Sequence, residues 1–351
     1  MGSQVSSNET VGVIGAGSFG TAVGNLLSEN RKVLLYARRP NVAEELQKNR
    51  KYKNLRITDN VTLTNSLEEL AGSCELIFPI VPSENFRPLI QQLAPFLNPA
   101  HKLIHGTKGL DVTLPEGESI SSVQSLTRSQ VRTMSEVIKE ESVVMRVGAV
   151  AGPNLAGEII DGDPAATVVA SHFDEVLSEV QSALRTRMFR VHRNHDLLGI
   201  ELAGVLKNIM AIAAGILNGL NYGDNTQALL VTRGLAEMVH IGKSLGANTK
   251  AFLGLAGIGD LVATCNSPRS RNFTVGFRLA RGEKLANILE SMEEVAEGLK
   301  TVCIVKALAN HYKFAAPITQ TLYKTLFEDM DVNHGMRLLM EFPFTEDVEF
   351  L

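Results

Sequence analysis

At 351 residues, with 44% apolar and 21% charged residues, the chain is long enough for two globular domains, each with a full core. Its 34 basic and 38 acidic side chains leave a formal charge of −4, which provides no polybasic field and excludes nucleic acid recognised by bulk electrostatics. Cys74, Cys265 and Cys303 show no CxxC spacing, so neither a disulfide framework nor a metal site is expected, and the thiols read as small buried hydrophobes in a reducing compartment.

Residues 1–10 are polar, lack the segments of a signal peptide and are expected to be a disordered lead-in. The apolar run Val11 to Ile14 then meets Gly15-Ala16-Gly17-Ser18-Phe19-Gly20, a helix-like stretch Thr21 to Asn30, and a second β-branched run, Lys32 to Tyr36. This is the βαβ context that gives a GxGxxG turn its meaning. Gly15 permits the tight turn, Gly17 lets a pyrophosphate approach the backbone, Gly20 lets helix and strand pack closely, and the helix dipole favours the negative charge. Dinucleotide binding, NAD or NADP, is therefore expected. After the second strand comes Ala37-Arg38-Arg39, without the acid that an NAD-preferring loop usually places on the ribose 2′-hydroxyl. The two guanidinium groups suit a 2′-phosphate, or form only a solvated basic turn.

Further strand-like runs at Val61 to Leu63, Glu75 to Val81, Lys102 to His105, Val143 to Ala151, Ala166 to Ser171 and Met188 to Val191 alternate mostly with helical patterns. The alternation predicts a parallel, doubly wound α/β sheet of Rossmann type over residues 11–194. Ligands of such sheets lie beyond the carboxyl ends of strands, which singles out Val81-Pro82-Ser83, His105-Gly106-Thr107-Lys108-Gly109 and Ala151-Gly152-Pro153-Asn154. Lys108, between glycines, is placed to meet an anion. Asn154 is expected mainly to cap the helix that follows. Leu110 to Glu141 reads as an insertion holding one helix, roughly Ser122 to Glu140, on the periphery of the sheet.

From His195 onward β-branched alternation disappears, and residues 195–351 are expected to form an all-α domain. Its first long helix is apolar around nearly its whole circumference and contains Lys207. A central lysine is costly in a bilayer, so no membrane span is expected and the helix reads as buried. Burial disfavours the ammonium, which lowers its pKa and suits it to acid–base chemistry; the alternative is a snorkelling side chain whose head reaches water. Gly254 to Gly259 leads into Asp260, either a helix N-terminal charge or a partner that holds Lys207. Ser267-Pro268-Arg269-Ser270-Arg271-Asn272 gathers guanidinium groups at a helix start, a local anion site. Met292 to Gly298 reads from composition as a charged, solvated helical face.

The blocks GAGSFG, TKG around Lys108, AGPN at Ala151 to Asn154, ELAGVLKNIMAIAAGI at Glu201 to Ile216, GLAGIGDLVATC at Gly254 to Cys265, SRN at Ser270 to Asn272 and VAEG at Val295 to Gly298 together resemble the NAD(P)-dependent glycerol-3-phosphate dehydrogenases. They occur in the family's order over almost the whole chain. The resemblance implies reversible hydride transfer between NAD(P)H and dihydroxyacetone phosphate, giving sn-glycerol 3-phosphate for phospholipid synthesis, by a cytoplasmic homodimer. It implies that Ser18, Phe19, Arg38, Arg39, Lys108, Ala156, Arg271, Val295 and Glu297 contact the dinucleotide. Lys108, Gly152, Asn154, Lys207, Asp260, Thr264, Ser270, Arg271 and Asn272 would line the site of a small phosphorylated substrate, with Lys207 as proton donor and acceptor and Lys108 and Asp260 beside it. The family usually has Ser where Asn154 stands, and Leu110 to Glu141 is longer than in its compact members.

Overall fold

The computed structural model describes residues 10–53, 55–114, 116–292 and 296–342. All of the expected lead-in except Thr10 lies outside them; Thr10 itself opens the first strand. In chain order the elements are β1 (Thr10–Ile14), α1 (Ser18–Ser28), β2 (Lys32–Tyr36), α2 (Pro40–Asn49), β3 (Lys51–Tyr52), β4 (Leu55–Arg56), β5 (Val61–Thr64), α3 (Leu67–Ser73), β6 (Leu76–Pro79), α4 (Phe86–Leu93), β7 (Lys102–His105), β8 (Asp111–Val112), β9 (Val131–Arg132), α5 (Met134–Glu141), β10 (Arg146–Ala151), α6 (Ala156–Asp161), β11 (Ala165–Ser171), α7 (Asp174–Leu184) and β12 (Phe189–Asn194). Helices follow: α8 (Leu197–Gly219), α9 (Asp224–Ser244), α10 (Thr249–Phe252), α11 (Asp260–Cys265), α12 (Arg271–Ala280), α13 (Leu285–Ser291), α14 (Glu297–Tyr312), α15 (Pro317–Phe327) and α16 (Val332–Glu341). The chain divides into two compact units, Met1–Thr107 with Met134–Leu197 and Lys108–Thr133 with Leu198–Leu351.

The first unit is built on an eight-stranded sheet of order β12-β11-β10-β7-β6-β1-β2-β5. Alternate residues of its central strands enter opposite cores. Val11, Val13, Val33, Leu35, Leu76 and Phe78 join one cluster, which includes Ala22, Leu26 and Leu27 of α1 and Val176, Leu177 and Val180 of α7. Ile14, Leu34, Tyr36 and Ile77 join the other, with Leu70 of α3, Phe86 and Ile90 of α4 and Val137 of α5. Burial on both faces is what makes these strands read as unbroken apolar runs. Parallel pairing holds throughout except between β10 and β11, which run antiparallel, a correction to the uniformly parallel sheet expected. The six residues of α6 rise only about 9 Å, too little to return along the roughly 20 Å of β10. The helix ends at Gly162 with φ +82, and β11 therefore starts at the edge where β10 stopped.

The segment from Leu110 to Glu141 also departs from expectation. Its α-helix is confined to Met134–Glu141 and packs beside α4, where Arg87 pairs with Glu140 at 2.8 Å and also with Glu141. Residues 108–133 belong with the helices of the second unit instead of the sheet's periphery. The Leu126 amide donates to the Ala307 carbonyl at 3.3 Å, the Tyr323 hydroxyl to the Ser121 carbonyl at 2.7 Å, and Lys306 Nζ to Gln124 Oε1 at 2.7 Å. Serines, threonines and glycine between 113 and 129 compete for backbone hydrogen bonds and favour turns, while Val123 and Leu126 supply the buried anchors.

In the second unit α8 is the central element. By length and composition it could cross a bilayer, with mean hydropathy 1.7 over eighteen residues, but that window is wholly buried in the protein. On α9, the buried carboxylate of Glu237 caps α15: it accepts from the Ile318 amide at 2.7 Å, the Thr319 amide at 2.9 Å and the Thr319 hydroxyl at 2.6 Å. Burial pushes its pKa up to about 7, and those three donors restrain the rise. Replacing Glu237 by Ala leaves the α15 amides without acceptors and should cost about 2–3 kcal/mol of stability, measured by denaturant midpoint. Because the folded pKa is raised, the ionisable side chain favours folding most at low pH and loses that contribution as pH rises from about 4.5 to 7. Glu237→Gln, which cannot ionise, should therefore gain stability relative to wild type between pH 5 and pH 8; a constant difference would refute the linkage.

Candidate active site

In the first unit the turn after β1 is set by backbone close approach. Gly15 adopts φ +120 and donates its amide to the Tyr36 carbonyl at 3.1 Å. A Cβ there would lie 2.1 Å from the Ile80 carbonyl oxygen, and one on Gly20 would lie 1.8 Å from the Gly15 carbonyl oxygen. Both glycines are obligatory for packing. Gly17 differs: it is the N-cap of α1, it has no side-chain cap, and a Cβ there would meet nothing within 4 Å. Open space above an uncapped helix N-terminus is the cradle that a dinucleotide pyrophosphate fits. Ser18 and Phe19 begin the helix, and the Phe19 ring packs where a Gly106 Cβ would come within 2.8 Å of it. Arg38 and Arg39 are exposed just past β2.

The second unit holds a buried cluster of charge. Lys207, 5% exposed on α8, donates to Asp260 Oδ1 at 2.8 Å and to the Thr264 hydroxyl. Lys108 donates to the other carboxylate oxygen, Oδ2, at 2.5 Å. Thr264 Oγ1 donates to Asp260 Oδ1 at 3.2 Å from the next turn of α11, and Asn208 Nδ2 donates to the Lys108 carbonyl at 3.3 Å. Asp260 is 2% exposed, so Lys207 does not snorkel; its ammonium is dry and paired. A π-helical turn over Leu255–Gly259 delivers Asp260 to α11, a local widening that often accompanies functional positions. Burial drives the Lys207 pKa down to about 8; the Asp260 carboxylate resists this and the positive charge of Lys108 adds to it. Two ammonium groups on one carboxylate leave a net positive, poorly hydrated cluster, able to give up a proton and to stabilise developing negative charge.

Nearby in the same unit, Ser270 caps α12 by accepting from the Phe273 amide at 3.3 Å. Arg271 is exposed at the first helical position, and Asn272 is buried behind it. Asn272 Oδ1 accepts from the Gly298 amide at 3.0 Å.

Some expected residues behave otherwise. Asn154 does not cap α6, whose N-cap is Leu155 without a side-chain bond; its Nδ2 donates instead to Thr167 Oγ1 at 2.8 Å. Its Oδ1 is buried with no hydrogen-bond partner among the described residues. Gly152 follows β10 with φ +152, and Ala156 opens α6. Met292 to Gly298 is not one helical face: α13 stops at Ser291 and Glu297 starts α14. Val295 lies outside the described residues. Asn208 and Gly298 join these contacts without a functional signature of their own in the sequence, save that Asn208 is a polar residue beside Lys207 in an otherwise apolar helix. The three thiols are buried, with their pKa values pushed up to about 12 by burial, as inert core residues should be. No group of metal-binding side chains occurs among the described residues.

The chain matches two family models, the NAD-dependent glycerol-3-phosphate dehydrogenase N-terminus over residues 10–177 and the C-terminus over residues 196–337. It is 38% identical to a glycerol-3-phosphate dehydrogenase [NAD(P)+] of Pseudomonas fluorescens, across 100% of this chain and 96% of that protein. The crystal structure of glycerol-3-phosphate dehydrogenase from Coxiella burnetii superimposes with a TM-score of 0.84 at 31% identity, covering 95% of this chain and 99% of that one. A Saccharomyces cerevisiae glycerol-3-phosphate dehydrogenase structure shares the fold, with a TM-score of 0.80 at 22% identity, covering 95% and 100% of the two chains. With its two halves matched in order and a relative this similar along its full length, the chain belongs to the NAD-dependent glycerol-3-phosphate dehydrogenase family.

Proposed function

We propose that this chain catalyses the reversible reduction of dihydroxyacetone phosphate to sn-glycerol 3-phosphate with NADH or NADPH, supplying phospholipid synthesis in the cytoplasm, and that it works as a homodimer. The observation that carries the catalytic reading is the buried Lys207, held at 2.8 Å by a carboxylate that Lys108 also grips. Gly15, Gly17, Ser18, Phe19 and Gly20 fit the dinucleotide, with Arg38, Arg39, Ala156, Val295 and Glu297 as further contacts; when bound, the reduced nicotinamide supplies the hydride. Lys207, as the ammonium, gives its proton to the ketone oxygen as that oxygen becomes an alkoxide, and Lys108 adds positive potential there. Asp260 and Thr264 fix the amine's direction. Arg271, Ser270 and Asn272 hold the phosphate, whose binding energy, remote from the reacting carbon, positions the substrate. Gly152 and Asn154 are further substrate contacts, Asn154 standing where the family usually has serine.

Lys207→Ala should lower kcat by about 10²–10⁴-fold, the range for a general acid, with the NADH dissociation constant nearly unchanged; undiminished turnover would refute its role. Arg271→Ala should raise KM for dihydroxyacetone phosphate about 10- to 100-fold, as expected for a lost charge-assisted contact of about 1.5–3 kcal/mol. An unaltered KM would count against it. Ketone reduction needs the protonated amine, so kcat/KM for reduction should fall as pH rises through about 8, while oxidation of glycerol 3-phosphate rises over the same interval. A flat profile from pH 7 to 9.5 would remove Lys207 from the proton transfer. Initial rates with each cofactor against dihydroxyacetone phosphate and unphosphorylated dihydroxyacetone test the whole reading.

A further inference from the structure

Asparagine presents an oxygen and an NH₂ group that look alike in shape but are opposite in chemistry, so a site that uses one must fix which way the amide faces. Asn272 is 7% exposed, and its one side-chain hydrogen bond among the described residues is the acceptor contact from the Gly298 amide at 3.0 Å. A backbone N–H has no acceptor character. It therefore forces Oδ1 toward α14 and leaves both protons of Nδ2 directed elsewhere, at the same helix start as Arg271 and the Ser270 cap.

The contact depends on the absence of a side chain at 298. A Cβ there would lie 2.7 Å from Asn272 Oδ1, 2.8 Å from the Asn208 carbonyl oxygen and 2.9 Å from Ile212 Cδ1. These neighbours come from α12 and α8, and the Asn208 oxygen is backbone in the centre of a buried helix, which cannot yield. Any added atom would have to displace the amide of Asn272. Gly298 is thus a point at which α8, α12 and α14 close around one polar group.

We infer that Gly298 is a positioning residue for phosphate selectivity: its amide locks Asn272 with Nδ2 outward, so that the start of α12 presents only hydrogen-bond donors to an anion. This rests on the reading above that α12 receives the substrate's phosphate. A flipped Asn272 would place a carbonyl oxygen against phosphate oxygens, replacing attraction with repulsion and leaving the Gly298 amide buried without an acceptor. Phosphate recognition is in this sense built by a glycine that carries no functional group of its own.

The test is the ratio of kcat/KM for dihydroxyacetone phosphate to kcat/KM for dihydroxyacetone, in the full-length enzyme. In Gly298→Ala this ratio should fall at least tenfold. A loss that merely reflects loosened structure lowers both terms and leaves the ratio as in wild type, which would overturn the inference. Should that variant not fold, judged by its melting temperature and NADH affinity, Asn272→Asp decides. It keeps an oxygen for the Gly298 amide but puts a carboxylate oxygen where Nδ2 stood, so the inhibition constant for inorganic phosphate should rise at least tenfold; an unchanged constant would overturn the inference. A wild-type enzyme that does not prefer the phosphorylated ketone would instead sink the functional reading on which this rests.

Discussion

The chemistry of the second unit depends on one carboxylate shared between two amines. An ammonium taken out of water without a partner costs several kcal/mol, and the carboxylate that partners Lys207 comes from another helix, α11. Asp260 supplies it through Oδ1 while its second oxygen holds Lys108. Two cations against one anion cannot neutralise each other, and the residual positive charge sits where little water can screen it. Burial is the main reason the Lys207 pKa falls despite the ion pair, and the second lysine adds to it against the charged form that Asp260 favours.

Glycine does a related job in both units, through close approach more than through flexibility. In the first, Gly15 and Gly20 let two backbone segments touch and bring the N-terminus of α1 to an open cradle, and Gly17 leaves that cradle free of side chains. In the second, Gly298 lets an amide reach a buried side-chain oxygen. Where the backbone itself makes the close approach, a single Cβ is enough to remove it.

Asparagine appears twice with one end committed and the other available. Asn154 uses Nδ2 on Thr167 and keeps a buried acceptor; Asn272 uses Oδ1 on Gly298 and keeps a donor. The remaining ends are of opposite kind, an acceptor in one case and a donor in the other. Each choice is set by the neighbour on the committed side, Thr167 in one case and Gly298 in the other.

Much was legible in the residues alone. The unbroken apolar runs of β1, β2 and β6, the glycine turn, the change to helical pattern near His195 and the buried lysine on an apolar helix are local consequences of side-chain size, backbone freedom and hydropathy, and these are properties of short stretches of chain. Tertiary structure decided the rest. The partners of Lys207 and Lys108 lie 53 and 152 residues away, the serine-rich segment after Lys108 found its partners on α14 and α15 and not on the sheet, and β11 reversed because α6 is too short to cross back. Asn154, which local rules made a cap, was claimed by Thr167. Such outcomes depend on which groups meet across long loops, where hydrogen-bond satisfaction and burial of distant segments outweigh local propensity.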